Sequence, residues 1–276
     1  MDIALIPPIP ELRYTESTKT HLVLSHLFDN DAYLKYYRGC SEVGDFTILD
    51  NGAHEKGIGE TNESLLNKAR LISADEVVLP DVLFDGMGTV ELTKQMLKWV
   101  SSLGWEQYVF AGKPNFMIVP QGNTRVEWNR CLTHLMHEWD SWSKKCPETL
   151  GQPCIGISKD YEIWYGGLAQ LIKQFIAPLY EERYLDVHCL GWPNNLWSIA
   201  KISREFPWVR STDSAKPHVY AFNGILLEPG GPIPDYPRRT PEYFTTEFTR
   251  RQRDIARKNI EVFKAAATNE IISNEV

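Results

Sequence analysis

Three strings in this chain place an aspartate just past the end of a short apolar run: Leu49-Asp50-Asn51-Gly52-Ala53, Val77-Val78-Leu79-Pro80-Asp81 and Arg210-Ser211-Thr212-Asp213-Ser214. A fourth, Met117-Ile118-Val119-Pro120, leads instead into an amide and a glycine, Gln121-Gly122. Carboxylates attack electrophilic carbon, shuttle protons and accept hydrogen bonds from N–H groups. A side-chain amide both donates and accepts, and glycine lets main chain approach a flat ring closely. Together these types describe an enzyme that grips a planar polar heterocycle and does carboxylate chemistry on it.

Such side chains need rigid supports that end at an open cleft, which is what the ends of β-strands provide. Apolar runs of strand length fall at His21–Phe28, Phe46–Leu49, Val77–Leu79, Phe116–Val119, Cys154–Ile157, Val187–Leu190, Trp208–Val209 and Val219–Phe222. Helical spacing appears between them. One helix carries Trp128, Leu132, Leu135 and Trp139 behind a capping box, Thr124-Arg125-Val126-Glu127. A second carries Leu168, Leu171, Ile172, Phe175 and Leu179, and a third, after Pro193-Asn194, carries Leu196, Ile199, Ala200 and Phe206. Eight strands alternating with helices predict a parallel sheet closed as a (β/α)8 TIM barrel, with a doubly wound open sheet as the alternative. No Gly-x-Gly-x-x-Gly follows an early strand, and functional residues after many different strands favour the barrel.

The expected organisation is a barrel over 1–228 and a tail over 229–276, packed on the barrel. The tail opens with a Pro/Gly-rich loop, Pro229 to Pro241, and continues as a helix with Phe244, Phe248, Ile255 and Val262 on its apolar side. Arg250, Arg251, Arg253, Arg257 and Lys258 occupy its other face, with Arg238 and Arg239 just upstream. This basic patch reads either as a solvated helix face or as a contact to a nucleic-acid backbone.

The 276 residues are 43% hydrophobic and 24% charged, with a net charge of −7, as expected of a soluble globular protein that does not coat nucleic acid indiscriminately. The five cysteines are scattered, without Cys-x-x-Cys, which gives no support to a disulfide framework or a thiolate zinc site. Met1 to Pro10 lacks the features of a signal peptide, and no apolar run approaches the ~20 residues of a membrane span. The expectation is a cytoplasmic protein without membrane contact.

In type and order these strings resemble the tRNA-guanine transglycosylase superfamily, from about His21 to Leu227, and most closely its small phage-type branch that inserts 7-deazaguanines into DNA. The resemblance implies a (β/α)8 barrel; no cofactor is expected, and no metal, since the family's zinc motif is absent from this sequence. It implies DNA and a free 7-deazaguanine base, such as 7-cyano-7-deazaguanine, as the reacting partners. Asp213 falls at the family's nucleophile and Asp50 at its general acid/base, in place of the family's Asp-Ser-Gly-Gly. Asp81 matches the base-binding aspartate, Gln121 and Gly122 the Gln-Gly element, and Gly156 in Cys-Ile-Gly-Ile-Ser the later backbone contact. The implied role is protection of phage DNA from restriction, in the host cytoplasm.

Plainer readings stand beside these. Asp213 suits a helix N-cap, Asp50 an Asx turn, and Gly122 and Gly156 ordinary turns. Asp85, four residues beyond Asp81, is the alternative base-binding carboxylate. His188 is expected to be a buried, satisfied histidine, and His134 and His137 have no third metal ligand in the sequence. The chain departs from the family at Asp50-Asn51-Gly52-Ala53-His54-Glu55 and lacks the Cys-x-Cys-x-x-Cys zinc motif that helps the tRNA enzymes hold tRNA. Both departures point to DNA. The rivals are the same chemistry on tRNA, a non-catalytic purine-binding barrel subunit and, more weakly, a barrel glycoside hydrolase.

Overall fold

The structure, a computed structural model, describes residues 1–57, 59–102, 114–145, 152–192, 196–229, 234–235, 237, 240 and 242–270. Cys146, Pro193, Asn194, Arg238, Arg239 and much of the 229–241 loop lie outside the described residues.

Eight strands form one sheet: β1 (Asp2–Leu5), β2 (Thr20–Leu24), β3 (Phe46–Asp50), β4 (Glu76–Val78), β5 (Asn115–Ile118), β6 (Cys154–Ser158), β7 (Val187–Leu190) and β8 (Ser211–Ser214). Their order is β1-β8-β7-β6-β5-β4-β3-β2, with parallel pairing and helices in the connections. This is the (β/α)8 barrel fold expected from the strand count.

Two of the eight strands are not the ones the apolar runs indicate. Val219–Phe222 belongs to a helix, Lys216–Phe222, whose Pro217 sits in the first turn where its missing N–H costs nothing. That helix is almost wholly buried, so its sequence reads as a continuous apolar run and resembles a core strand. Trp208–Val209 only precedes β8, which is built of Ser211, Thr212, Asp213 and Ser214. A buried strand of hydroxyls and a carboxylate has no hydrophobic signature. The eighth strand is instead β1, at the N-terminus, with Ile3, Ala4 and Leu5 buried. β2 is shorter than the run His21–Phe28, ending at Leu24 before a 3-10 turn over Ser25–Leu27.

The chain divides into two compact units, Leu22–Ile157 with Phe175–Val187, and Met1–His21 with Ser158–Gln174 and His188–Val276. In the first lie α1 (Asp31–Glu42), α2 (Ala53–Lys56), α3 (Asn62–Ile72), α4 (Gly86–Ser102) and α5 (Arg125–Ser143). As expected, α5 buries Trp128, Leu132, Leu135 and Trp139, each stabilising the fold by about 1.5–3 kcal/mol. Its cap differs in one partner. Thr124 Oγ1 accepts from Glu127 N, but the Glu127 carboxylate reaches Asn123 N, one residue before the cap.

In the second unit lie α6 (Glu162–Tyr165), α7 (Leu168–Leu171), α8 (Leu196–Glu205), α9 (Lys216–Phe222) and α10 (Arg250–Ala267). The helix expected over Leu168 to Leu179 is interrupted by a π turn at Ile172–Ile176, just before Pro178. Proline lacks the N–H that would continue the regular ladder, and the wider turn absorbs the break.

The tail helix α10 packs on β1, α8 and α9. It begins after Thr249, whose capping box with Gln252 closes its first turn, so Phe244 and Phe248 precede the helix rather than lie on it. Asn259, fully buried on α10, accepts from Leu227 N at 2.8 Å and donates to Pro217 O at 3.2 Å and Ile225 O at 3.0 Å. One side chain thus meets three main-chain groups, one of them in the first turn of α9. The Asn259→Ala variant is expected to lose about 2–4 kcal/mol of unfolding free energy, because orphaned buried groups keep their desolvation cost. The exposed control Lys258→Ala is expected to stay within about 0.5 kcal/mol of the parent, both read by urea denaturation.

Candidate functional site

In the first unit, β3, β4 and β5 lie side by side, and the residues just beyond their carboxyl ends converge. Asp81, only 4% exposed, sits three residues past β4. Asn51, the residue after β3, donates from Nδ2 to Asp81 Oδ1 and to Leu79 O, both at 2.7 Å. Gln121, three residues past β5, donates from Nε2 to Asp81 Oδ2. Each amide is itself oriented: Asn51 Oδ1 accepts from Ala53 N at 2.8 Å, and Gln121 Oε1 from Phe84 N at 3.2 Å. Burial pushes the Asp81 carboxyl up to about 6, against the opposing pull of the two amide donors.

Asp81 and Gln121 are thus brought together. Asn51 is the member that sequence reasoning missed, because it reads there as part of an Asp-Asn-Gly turn. Asp85, the alternative carboxylate, is exposed and accepts from Gly88 N at 2.9 Å in the first turn of α4. Asp81 is the buried one of the two.

Asp50 ends β3, half-buried, with Oδ2 accepting from Gly52 N at 2.9 Å. That is the geometry of an Asx turn, and Gly52 has the positive φ of 77° that such a bend favours. The loop beyond is stitched back by Glu60 N to Asn51 O (2.9 Å) and Gly59 N to Asp81 O (3.2 Å). Glu60, whose side chain is nearly buried, is clamped by Lys68 Nζ at 2.7 and 2.6 Å, and Lys68 also donates to Ser25 O at 3.0 Å. The clamp holds the main chain that carries Asn51.

Gly122 has a packing reason to be glycine. A Cβ there would stand 2.5 Å from Trp128 N and 2.9 Å from Glu127 C, inside the first turn of α5. Gly156 lies buried in the middle of β6.

In the second unit, Asp213 is the third residue of β8, 6% exposed and paired in register with Ala4 of β1. Its Oδ1 accepts from Gly191 N at 2.8 Å and meets His188 Nε2 at 3.2 Å. His188 lies on β7 in register with Ser211, and its Nδ1 meets Ser211 Oγ at 2.8 Å. The histidine is buried and satisfied, as expected, and it is satisfied by the candidate nucleophile. Asp213 caps no helix: α9 starts at Lys216, whose N–H donates to Ser214 Oγ at 3.1 Å.

Lys216, 4% exposed, donates from Nζ to Trp192 O at 2.9 Å. Burial pulls its ammonium down to about 8, helped by the positive charge of Lys159 and opposed by Glu162. Three residues from Asp213, it is a second feature missed in the sequence, where Ala-Lys-Pro carries no motif.

The basic residues of the tail divide in the structure. Arg250, Arg251, Arg257 and Lys258 are exposed, with Arg257 paired to Asp254 at 3.2 Å. Arg253 instead binds the fully buried carboxylate of Glu11 at 2.9 Å, which also accepts from Phe248 N at 2.9 Å. This arginine holds the tail to the 3-10 segment Ile9–Ser17 near the N-terminus. His134 and His137 are exposed on α5. No helix among the described residues is long and apolar enough to cross a membrane.

No protein-family model and no curated protein matches this sequence.

The raised Asp81 carboxyl has a stability consequence of definite sign. Its folded value of about 6 lies above the ordinary carboxyl value of 3.8, so between those values the folded state holds the extra proton. Stability from this group is therefore gained as pH falls through 6 and lost as pH rises. Buried His218, pulled down to about 3 by desolvation, works in the opposite direction, so the wild-type profile alone does not isolate Asp81. The stability difference between wild type and Asp81→Asn is expected to shift by about 2 kcal/mol in favour of wild type between pH 7.5 and 4.5, measured by urea denaturation.

Proposed function

We propose that this protein exchanges guanine in DNA for a free 7-deazaguanine base through a covalent aspartyl–sugar ester. The observation that carries the reading is the one-sided anchoring of Asp213. Gly191 N and His188 Nε2 both meet Oδ1, and among the described residues no hydrogen bond reaches Oδ2. A carboxylate held this way has one fixed oxygen and one available for attack.

In the first half-reaction Oδ2 of Asp213 bonds to the sugar C1′ while the C1′–N9 bond breaks, and its electron pair leaves on guanine. Asp50 supplies the proton that the departing base takes up. In the second half, the incoming base gives its ring N–H proton to Asp50, its nitrogen attacks C1′, and the ester bond breaks to restore the Asp213 carboxylate. Two inversions at C1′ return the original configuration. Asp81 accepts from the ring N–H and amino group of the base, with Gln121 beside it and Asn51 holding the carboxylate in place. A guanine in duplex DNA must first leave the stack, at a cost of a few kcal/mol. Arg250, Arg251, Arg257 and Lys258 are the exposed charges offered to the backbone, whereas Arg253 is engaged by Glu11.

A purine-binding barrel without catalysis is the second reading. It is favoured by the Asx turn, which occupies an oxygen of the proposed acid/base Asp50.

The test is incorporation of radiolabelled guanine or 7-cyano-7-deazaguanine into DNA and, in parallel, into tRNA. Label is expected in DNA, with Asp213→Ala lowering the rate by at least about a thousandfold. Label entering tRNA alone moves the substrate to tRNA, and purine binding without incorporation into either favours the second reading. In the active enzyme kcat/KM is expected to fall about tenfold per pH unit below 6, as Asp81 takes up a proton and loses an acceptor site.

A further inference from the structure

Behind the candidate nucleophile runs a chain of side chains that ends on a carboxylate oxygen. Arg210 Nε lies 3.4 Å from Ser211 Oγ, Ser211 Oγ lies 2.8 Å from His188 Nδ1, and His188 Nε2 lies 3.2 Å from Asp213 Oδ1. A guanidinium has donors only, so Ser211 Oγ accepts from Arg210. The serine keeps a second lone pair and its own hydrogen, so it can meet His188 Nδ1 as acceptor or as donor. His188 Nε2, by contrast, faces a carboxylate oxygen that can only accept, so Nε2 carries a proton.

We infer that His188 is a positioning residue, that its Nε2–H donates to Asp213 Oδ1, and that it selects which oxygen of Asp213 attacks. The register of the two strands builds this arrangement. His188 and Ser211 are opposite one another across β7 and β8, and Asp213 follows Ser211 by two residues on the same face of the strand. Gly191, with a positive φ of 71°, turns its N–H onto the same oxygen at 2.8 Å. Two donors from one side therefore fix Oδ1 and the carboxylate plane. With the proton on Nδ1 alone, a bare Nε2 would face Asp213 Oδ1, two acceptors in contact, and the plane would be released.

The choice of attacking oxygen rests on the transglycosylase reading, whereas the proton on Nε2 does not, and the experiment separates them. The first arm is long-range proton–nitrogen NMR on histidine-labelled protein, with the His188 signal assigned by its loss in His188→Gln. The inference requires a protonated Nε2 in wild type. A bare Nε2 in wild type overturns it.

The second arm is base exchange. His188→Leu is expected to lower kcat by about a hundredfold with KM within about threefold, and His188→Gln, which restores an N–H near Oδ1, to recover about tenfold. Equal losses in the two variants, or a loss confined to KM, overturn the positioning role. If wild type exchanges no base, the transglycosylase reading fails while the NMR arm still decides the proton on Nε2.

Discussion

A carboxylate taken out of water has to be met by N–H donors, and each buried strand-end aspartate here draws donors from neighbouring strands. Asp81 is met by Asn51, just beyond β3, and by Gln121, just beyond β5. Asp213 is met by His188 on β7 and by the main chain of Gly191 immediately after it. Parallel pairing is what makes this possible, since it brings successive carboxyl ends side by side. Much else in the structure follows from keeping these donors in place. The Lys68–Glu60 clamp, the return of the loop to Asn51 and Asp81, and the orientation of Gln121 by Phe84 N all hold a donor at its acceptor.

The two aspartates sit in different environments. Asp81 is held at both oxygens by neutral amides, and burial raises its carboxyl to about 6, which suits recognition by hydrogen bonding. Asp213 is held at one oxygen only, with a histidine behind it, which suits attack by the other. Environments that set like groups apart in this manner are how one fold assigns several roles to one residue type. Asp50 is the least specialised of the three, half-buried and turned toward Gly52 N.

The strands β3 to β7 were legible because each contains buried Val, Ile, Leu, Phe, Met or Cys in a short run bounded by turn residues. β8 was not, since Ser-Thr-Asp-Ser is polar in sequence and is made tolerable in the core by bonds such as Thr212 Oγ1 to Cys189 O at 2.9 Å. The aspartates themselves stood out by their position after apolar runs, and Gln121 by its place after Pro120. Their partners did not. Asn51 carries the sequence signature of a turn, and nothing in the spacing of His188 and Asp213 reveals that β7 and β8 pair in the register that joins them. The basic tail shows the same limit in reverse, because a row of arginines cannot disclose that Arg253 answers a buried Glu11. Contacts made across the sheet or between distant segments depend on register and packing, which local pattern does not encode.

The central claim is that Asp213 forms a bond to the sugar, and an acid-quenched mixture of the protein with guanine-containing DNA, digested and mapped by mass spectrometry, tests it most directly. The account predicts a nucleotide adduct on the peptide carrying Asp213, absent from Asp213→Ala and discharged when free 7-cyano-7-deazaguanine is added before the quench. An adduct on any other residue, or base exchange by Asp213→Ala at the wild-type rate, would contradict it.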